Sequence, residues 1–170
     1  MLDKQKQEEE FIHQVMQSQG IIHKISRMYC RLEEDRQDLF QEILIQLWKA
    51  YPSFRGDAKF STWMYRVGLN VALQFARKDI KKPGFDDIDQ ASEVLDIPEE
   101  GSYKDQKGRL LIAIGRLNEI EKAIAMLYLE EKSYEEISEI MGITQNYVRV
   151  KMNRIKNKLK ELLKPNNHGV

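Results

Sequence analysis

Gln145, Asn146, Arg149 and Asn153 place planar amides and a guanidinium along about two helical turns. Each of these groups forms paired hydrogen bonds, which is the geometry that base edges in a DNA groove accept. Lys156 and Lys160, further along, suit phosphates. The same residue types recur earlier as Arg66, Asn70, Gln74 and Arg77, at steps of four, four and three. Just ahead of them, FRGDAKF (residues 54–60) sets Phe54, Arg55, Lys59 and Phe60 around a turn. Aromatics beside cations suit single-stranded nucleic acid, since rings stack on bases at about 1–3 kcal/mol each while charge holds the backbone. The RGD tripeptide within it is too short to carry an adhesion reading. A third face, made of Asp38, Gln41, Glu42 and Gln46 with Ile45 among them, fits either plain solvation or an acidic surface meeting a basic protein.

These faces need helices to position them, and the apolar spacing supplies the helices. Phe11, Ile12, Val15, Ile22 and Ile25 predict a helix over residues 8–28, or a helix pair interrupted near Gly20. Leu39, Phe40, Ile43, Leu44, Leu47 and Trp48 form the stripe of a helix over 35–50, which Pro52 stops. Ser61 or Thr62 can cap the next helix, which runs to about Lys78 with Trp63, Met64, Val67, Val71 and Phe75 on its apolar face. On that stripe Trp63 reads as core and Phe60 as a staple, while Phe54 suits packing and contact about equally. Pro83 and Gly84 close this half.

A second helical block starts by Arg109, with Asn118 and Glu121 capping a helix to Leu129. Ser133 and Glu136 form a capping box, Gly142 ends the short helix after it, and Thr144 caps a last helix. A short helix, a tight turn and a longer helix make a helix-turn-helix. On the longer helix Val148, Met152, Ile155, Leu159 and Leu162 share the buried face.

The chain of 170 residues carries four prolines and nine glycines, with little strand-like alternation, and is expected to be all-α. Its net charge of zero hides a pattern: basic RKDIKK (77–82), acidic DDIDQASEVLDIPEE (86–100) without a Lys or Arg, then a basic end from Arg149 to Lys164. Two positive patches around an acidic stretch imply two binding surfaces joined by a flexible acidic linker, with a short helical piece in it. The expected division is a helical domain at 8–84, a linker at 85–107 and a helix-turn-helix domain at 108–165.

One cysteine, Cys30, excludes an internal disulfide and a Cys-based zinc site, and reads as a small residue packed in a helix. No nucleophile-base pair, metal-ligand cluster or phosphate-binding glycine loop is present, so neither catalysis nor a cofactor is expected. His13, His23 and His168 share no spacing with carboxylates. No apolar run reaches the roughly 18 residues of a membrane span, and the polar start MLDKQKQEEEF is no signal peptide. A cytoplasmic protein is expected.

DLFQEILIQLWKAYPSFRGDAKFSTWMYRVGLNVALQFARK resembles the promoter-melting domain of bacterial sigma factors, and SYEEISEIMGITQNYVRVKMNRIKNKLKELL their C-terminal helix-turn-helix. With no domain between them, the chain resembles the small extracytoplasmic-function group over nearly its whole length after Glu8. The resemblance implies a transcription initiation factor for core RNA polymerase. Asp38, Gln41 and Glu42 match the DLxQE positions that dock on the beta-prime clamp, with Ile45 on the same face. Ser53 to Lys59 match the loop holding a flipped base of the minus-ten element, and Arg66 and Asn70 match the helix beside it. Gln145, Asn146, Arg149, Lys151 and Arg154 match positions on the minus-thirty-five element or its phosphates, to which Asn153 and Lys156 add from the exposed face. The apolar hollow around the helix at 119–129 matches the seat of the polymerase's beta flap, and an anti-sigma factor is a common controlling partner in the group.

Two positions depart from the pattern. Housekeeping sigma factors place paired tryptophans at the bubble edge, where this chain has Arg66 and Val67, so melting should rest on base capture by the loop. Val150 stands where small polar residues are common in the recognition helix. Two other readings compete: a free-standing helix-turn-helix regulator with an N-terminal dimerisation domain, and a helical adaptor that binds only protein. Neither accounts for the FRGDAKF loop.

Overall fold

The computed structural model describes residues 1–80 and 103–165, and every element among them is helical. Two compact units result, the first ending at Lys78 and the second beginning at Asp79. The acidic stretch, its expected short helix, Pro83, Gly84 and His168 lie outside the described residues.

In the first unit α1 (Leu2–Tyr29) is one continuous helix, not a pair broken at Gly20. The reason is a matter of magnitudes. Gly20 is exposed and costs about 1 kcal/mol against alanine. Phe11, Val15, Ile22 and Ile25 are buried on the inner side, at about 1.5–3 kcal/mol each, and outweigh it. Cys30 is buried but does not sit inside a helix: its extended backbone ends α1, and its carbonyl accepts from Arg36 Nε at 2.9 Å.

The chain then turns into α2 (Glu33–Ala50), where Glu33, Glu34 and Asp35 match the positive helix start. Leu39, Ile43 and Leu47 are buried, while Trp48 stays partly exposed with its ring 5.0 Å from Phe11. Pro52 lies in the single 3₁₀ turn Tyr51–Ser53 that follows. Next, α3 (Phe60–Ile80) buries Met64, Leu69, Val71 and Ala72. A Cβ on Gly68 would fall 2.8 Å from Ile25 Cδ1 and 3.7 Å from Ile43 Cγ2, so glycine lets α3 close onto both preceding helices.

The second unit consists of α4 (Tyr103–Gly115), α5 (Glu119–Leu129), α6 (Tyr134–Met141) and α7 (Gln145–Leu163). Thus α4 begins earlier than Arg109. Its core is Ala113, Ile114, Ala123, Ile124, Leu127, Ile137, Val148, Met152 and Ile155. Glu121 is also buried, 1% exposed, and its carboxylate meets Lys158 Nζ at 2.8 and 2.9 Å. This pair fastens the first turn of α5 to α7 across 37 residues of sequence.

Candidate nucleic-acid interface

Each end of α6 and the start of α7 is closed by a local device read from the sequence. Ser133 Oγ accepts from Glu136 N at 3.1 Å, and the Glu136 carboxylate accepts from Ser133 N at 3.3 Å. Gly142 takes φ +68°, a left-handed conformation that costs other residues about 1–2 kcal/mol. Ser138 Oγ donates to the Ile143 carbonyl at 2.5 Å, pinning the turn. Thr144 Oγ1 then accepts from Tyr147 N at 3.1 Å and opens α7.

With Val148, Met152 and Ile155 buried, Gln145, Asn146, Arg149, Asn153, Arg154 and Lys156 are all exposed. Lys151 is half-buried, its ammonium 5.6 Å from the Tyr147 ring centre. Val150, 42% exposed, lies in the same strip, where an apolar side chain can meet a thymine methyl. Tyr147 is exposed there too and did not emerge from sequence reasoning, because an isolated aromatic reads equally well as core.

In the first unit the loop after the 3₁₀ turn is built on an aromatic cluster. Phe54 lies 5.0 Å from Trp63, 5.6 Å from Phe60 and 6.3 Å from Tyr51, ring centre to ring centre. Phe54 is therefore half-buried, its ring engaged in packing. Tyr51 also touches Phe11 at 5.0 Å, tying the loop to α1. Burial, and then the charge of Glu10, raises the Tyr51 phenol above its ordinary value of 10.0. No sequence signal singled Tyr51 out, since its partners come from three separate elements.

Neither Ser61 nor Thr62 caps α3. The helix starts two residues earlier than a Ser61 cap would place it, with the Lys59 carbonyl accepting from Trp63 N at 3.1 Å, as Phe60 enters the cluster in the first turn. Ser53 Oγ donates to the Ala50 carbonyl at 2.7 Å, and Arg55 and Lys59 are exposed on the loop.

Arg66, Asn70, Gln74 and Arg77 are exposed along the outer side of α3. On α2, Asp38, Gln41, Glu42 and Ile45 share one exposed face, with Ile45 46% exposed. Glu42 Oε1 accepts from Gln46 Nε2 at 3.0 Å. Glu42 and Gln46 of α2 and Asn70, Gln74 and Lys78 of α3 line one shallow groove of about 290 Å³ over Val67, Val71 and Phe75. The two faces read separately from sequence thus adjoin.

Residues 15–81 match the family model Sigma-70 region 2, and residues 107–159 match Sigma-70, region 4. Over 143 residues the chain is 29% identical to the ECF RNA polymerase sigma-E factor of Haemophilus influenzae, covering 77% of this chain and 76% of that one. It is 28% identical over 158 residues to the RNA polymerase sigma-H factor of Pseudomonas aeruginosa, covering 84% and 82%. Its fold is similar to the sigma factor RpoE from Bartonella quintana, solved with the anti-sigma factor NepR, at a TM-score of 0.68 and 20% identity over 93% of this chain and 99% of that one.

Proposed function

The chain belongs to the sigma-70 family, in its extracytoplasmic-function group, and is a transcription initiation factor of bacterial RNA polymerase; from that premise we propose how its residues divide the work. The first unit docks on the beta-prime clamp through Asp38, Gln41, Glu42 and Ile45. Its loop, Ser53 to Lys59, captures an unpaired base of the minus-ten element, with Arg55 and Lys59 on the backbone and the aromatic cluster as a rigid support. Because the Phe54 ring is engaged in that cluster, base capture rests on the loop's shape and cations. Arg66, Asn70, Gln74 and Arg77 follow the strand along α3.

In the second unit α7 enters the major groove of the minus-thirty-five element. Gln145, Asn146, Arg149 and Asn153 face base edges, and Lys151, Arg154 and Lys156 face phosphates. The work is recognition and strand opening, with no covalent chemistry, and we place it in the cytoplasm beside polymerase and promoter. An anti-sigma factor is a further proposed partner, since the Bartonella relative was solved with one.

The observation that carries this reading is two helical units, in the family's order, each presenting an exposed amide-and-cation face on a helix fixed by its core. Co-elution with core RNA polymerase on a sizing column tests it. Wild type is expected to co-elute, and Asp38→Lys with Glu42→Lys to abolish co-elution while leaving the helical circular dichroism unchanged. An intact complex carrying both changes would remove the docking assignment.

A further inference from the structure

The outward strip of α7 has an apolar centre. At 3.6 residues per turn, Val150 points roughly 170° away from the mean direction of the buried Val148, Met152 and Ile155, whereas Arg149 stands only about 90° round. Asn146 and Tyr147 lie one turn before Val150, and Asn153 and Arg154 one turn after it. All four are exposed, so polar and aromatic groups ring an exposed valine. A lone exposed apolar residue is ordinary on a protein surface. This one sits where a groove receiving α7 would cover it first. Its β-branched side chain is held near one rotamer in a helix, so contact costs it little freedom.

The floor of the major groove answers such a residue in one way. Guanine and adenine offer N7 with O6 or the N6 amino group, and cytosine offers its N4 amino group. Thymine offers the O4 acceptor and the 5-methyl, the one apolar group on the floor. Valine makes no side-chain hydrogen bond. Against guanine, adenine or cytosine it would strip water from a donor or acceptor and return nothing. Against the thymine methyl it withdraws apolar surface from water on both partners. One base is thereby favoured and three are penalised, and specificity uses both.

We propose that Val150 is a specificity-determining residue, which fixes a thymine in the minus-thirty-five element by covering its 5-methyl group. The inference rests on the proposed seat of α7 in the major groove.

Holoenzyme formed with core RNA polymerase provides the test. It is first offered a duplex library randomised over the minus-thirty-five element, and the preferred duplex is recovered. Every thymine of that element, on both strands, is then replaced singly by deoxyuridine. The exchange deletes the 5-methyl and leaves base pairing and the O4 acceptor as they were. At one position deoxyuridine is expected to weaken wild-type binding about fourfold, the worth of one carbon group withdrawn from water. With Val150→Ser the same exchange should change nothing. Serine and valine have nearly equal helix propensities and the position is exposed, so the variant keeps α7, which circular dichroism checks.

Three outcomes would each overturn the assignment: a preferred duplex with no thymine in the element, wild-type binding indifferent to every exchange, or a loss that persists undiminished in Val150→Ser. Recovery of no preferred sequence at all would instead remove α7 from the role of base reader, and the inference would fall with that reading.

Discussion

Arg149 stands exposed on α7 between Gln145 and Asn153, where its guanidinium can fork onto a base edge. Replacing it with alanine is expected to cost about 1–3 kcal/mol on the preferred promoter and far less on scrambled ones, read as holoenzyme binding by fluorescence anisotropy. An equal loss on every sequence would make it a phosphate contact. Tyr51 offers a test by pH. Its phenol is raised above 10.0 by burial first and by the Glu10 charge second, so the folded chain favours the neutral form. The resulting stability is present below the unfolded value and is lost as pH rises through the raised folded value. Denaturant midpoints should therefore fall on the alkaline side of 10.0, and Tyr51→Phe should flatten that fall. A phenolate absorbance titration placing Tyr51 at its ordinary value would remove the explanation. These two residues differ in legibility. Arg149 could be found from sequence because its role needs only an exposed place on one helix. Tyr51 could not, because its environment is made by Phe11, Phe54 and Trp63 from different parts of the chain.

Elements whose ends close on their own neighbours were readable residue by residue. The boxes at Asn118 and Ser133, the glycine at 142 and the cap at Thr144 each involve hydrogen bonds over a few residues, which sequence spacing encodes. Gly142→Val should consequently be costly, about 1–2 kcal/mol from the left-handed backbone alone, measured by urea denaturation, and should weaken promoter binding by displacing the start of α7. Stability and binding both unchanged would mean that the turn can be rebuilt without it. Elements whose ends answer to distant partners were misread. Here α3 starts at Phe60 because that ring joins a cluster seeded by Tyr51, and α1 runs on through its exposed Gly20 because Phe11, Val15, Ile22 and Ile25 are buried.

At the scale of the molecule, each unit owns a core: Ile22, Ile25, Leu39, Ile43, Leu47 and Met64 in one, Ile114, Ile124, Leu127, Ile137 and Met152 in the other. Separate fragments 1–80 and 103–165 are expected to keep their helical circular dichroism and to melt cooperatively, although chains this short bury only about 60% of their surface and are marginal. A fragment that loses its helicity alone would show that its core needs the rest of the chain. By itself the sequence determined the all-helical class, the helix-turn-helix and the outward faces of α2, α3 and α7. Those follow from periodicity and from capping, which act within a few residues. Only the tertiary structure decided that Phe54 is engaged in an aromatic cluster, that Glu42 and Asn70 line one groove, and that Glu121 holds Lys158. Such contacts join residues distant along the chain, and spacing within a helix carries no information about which helix will face it.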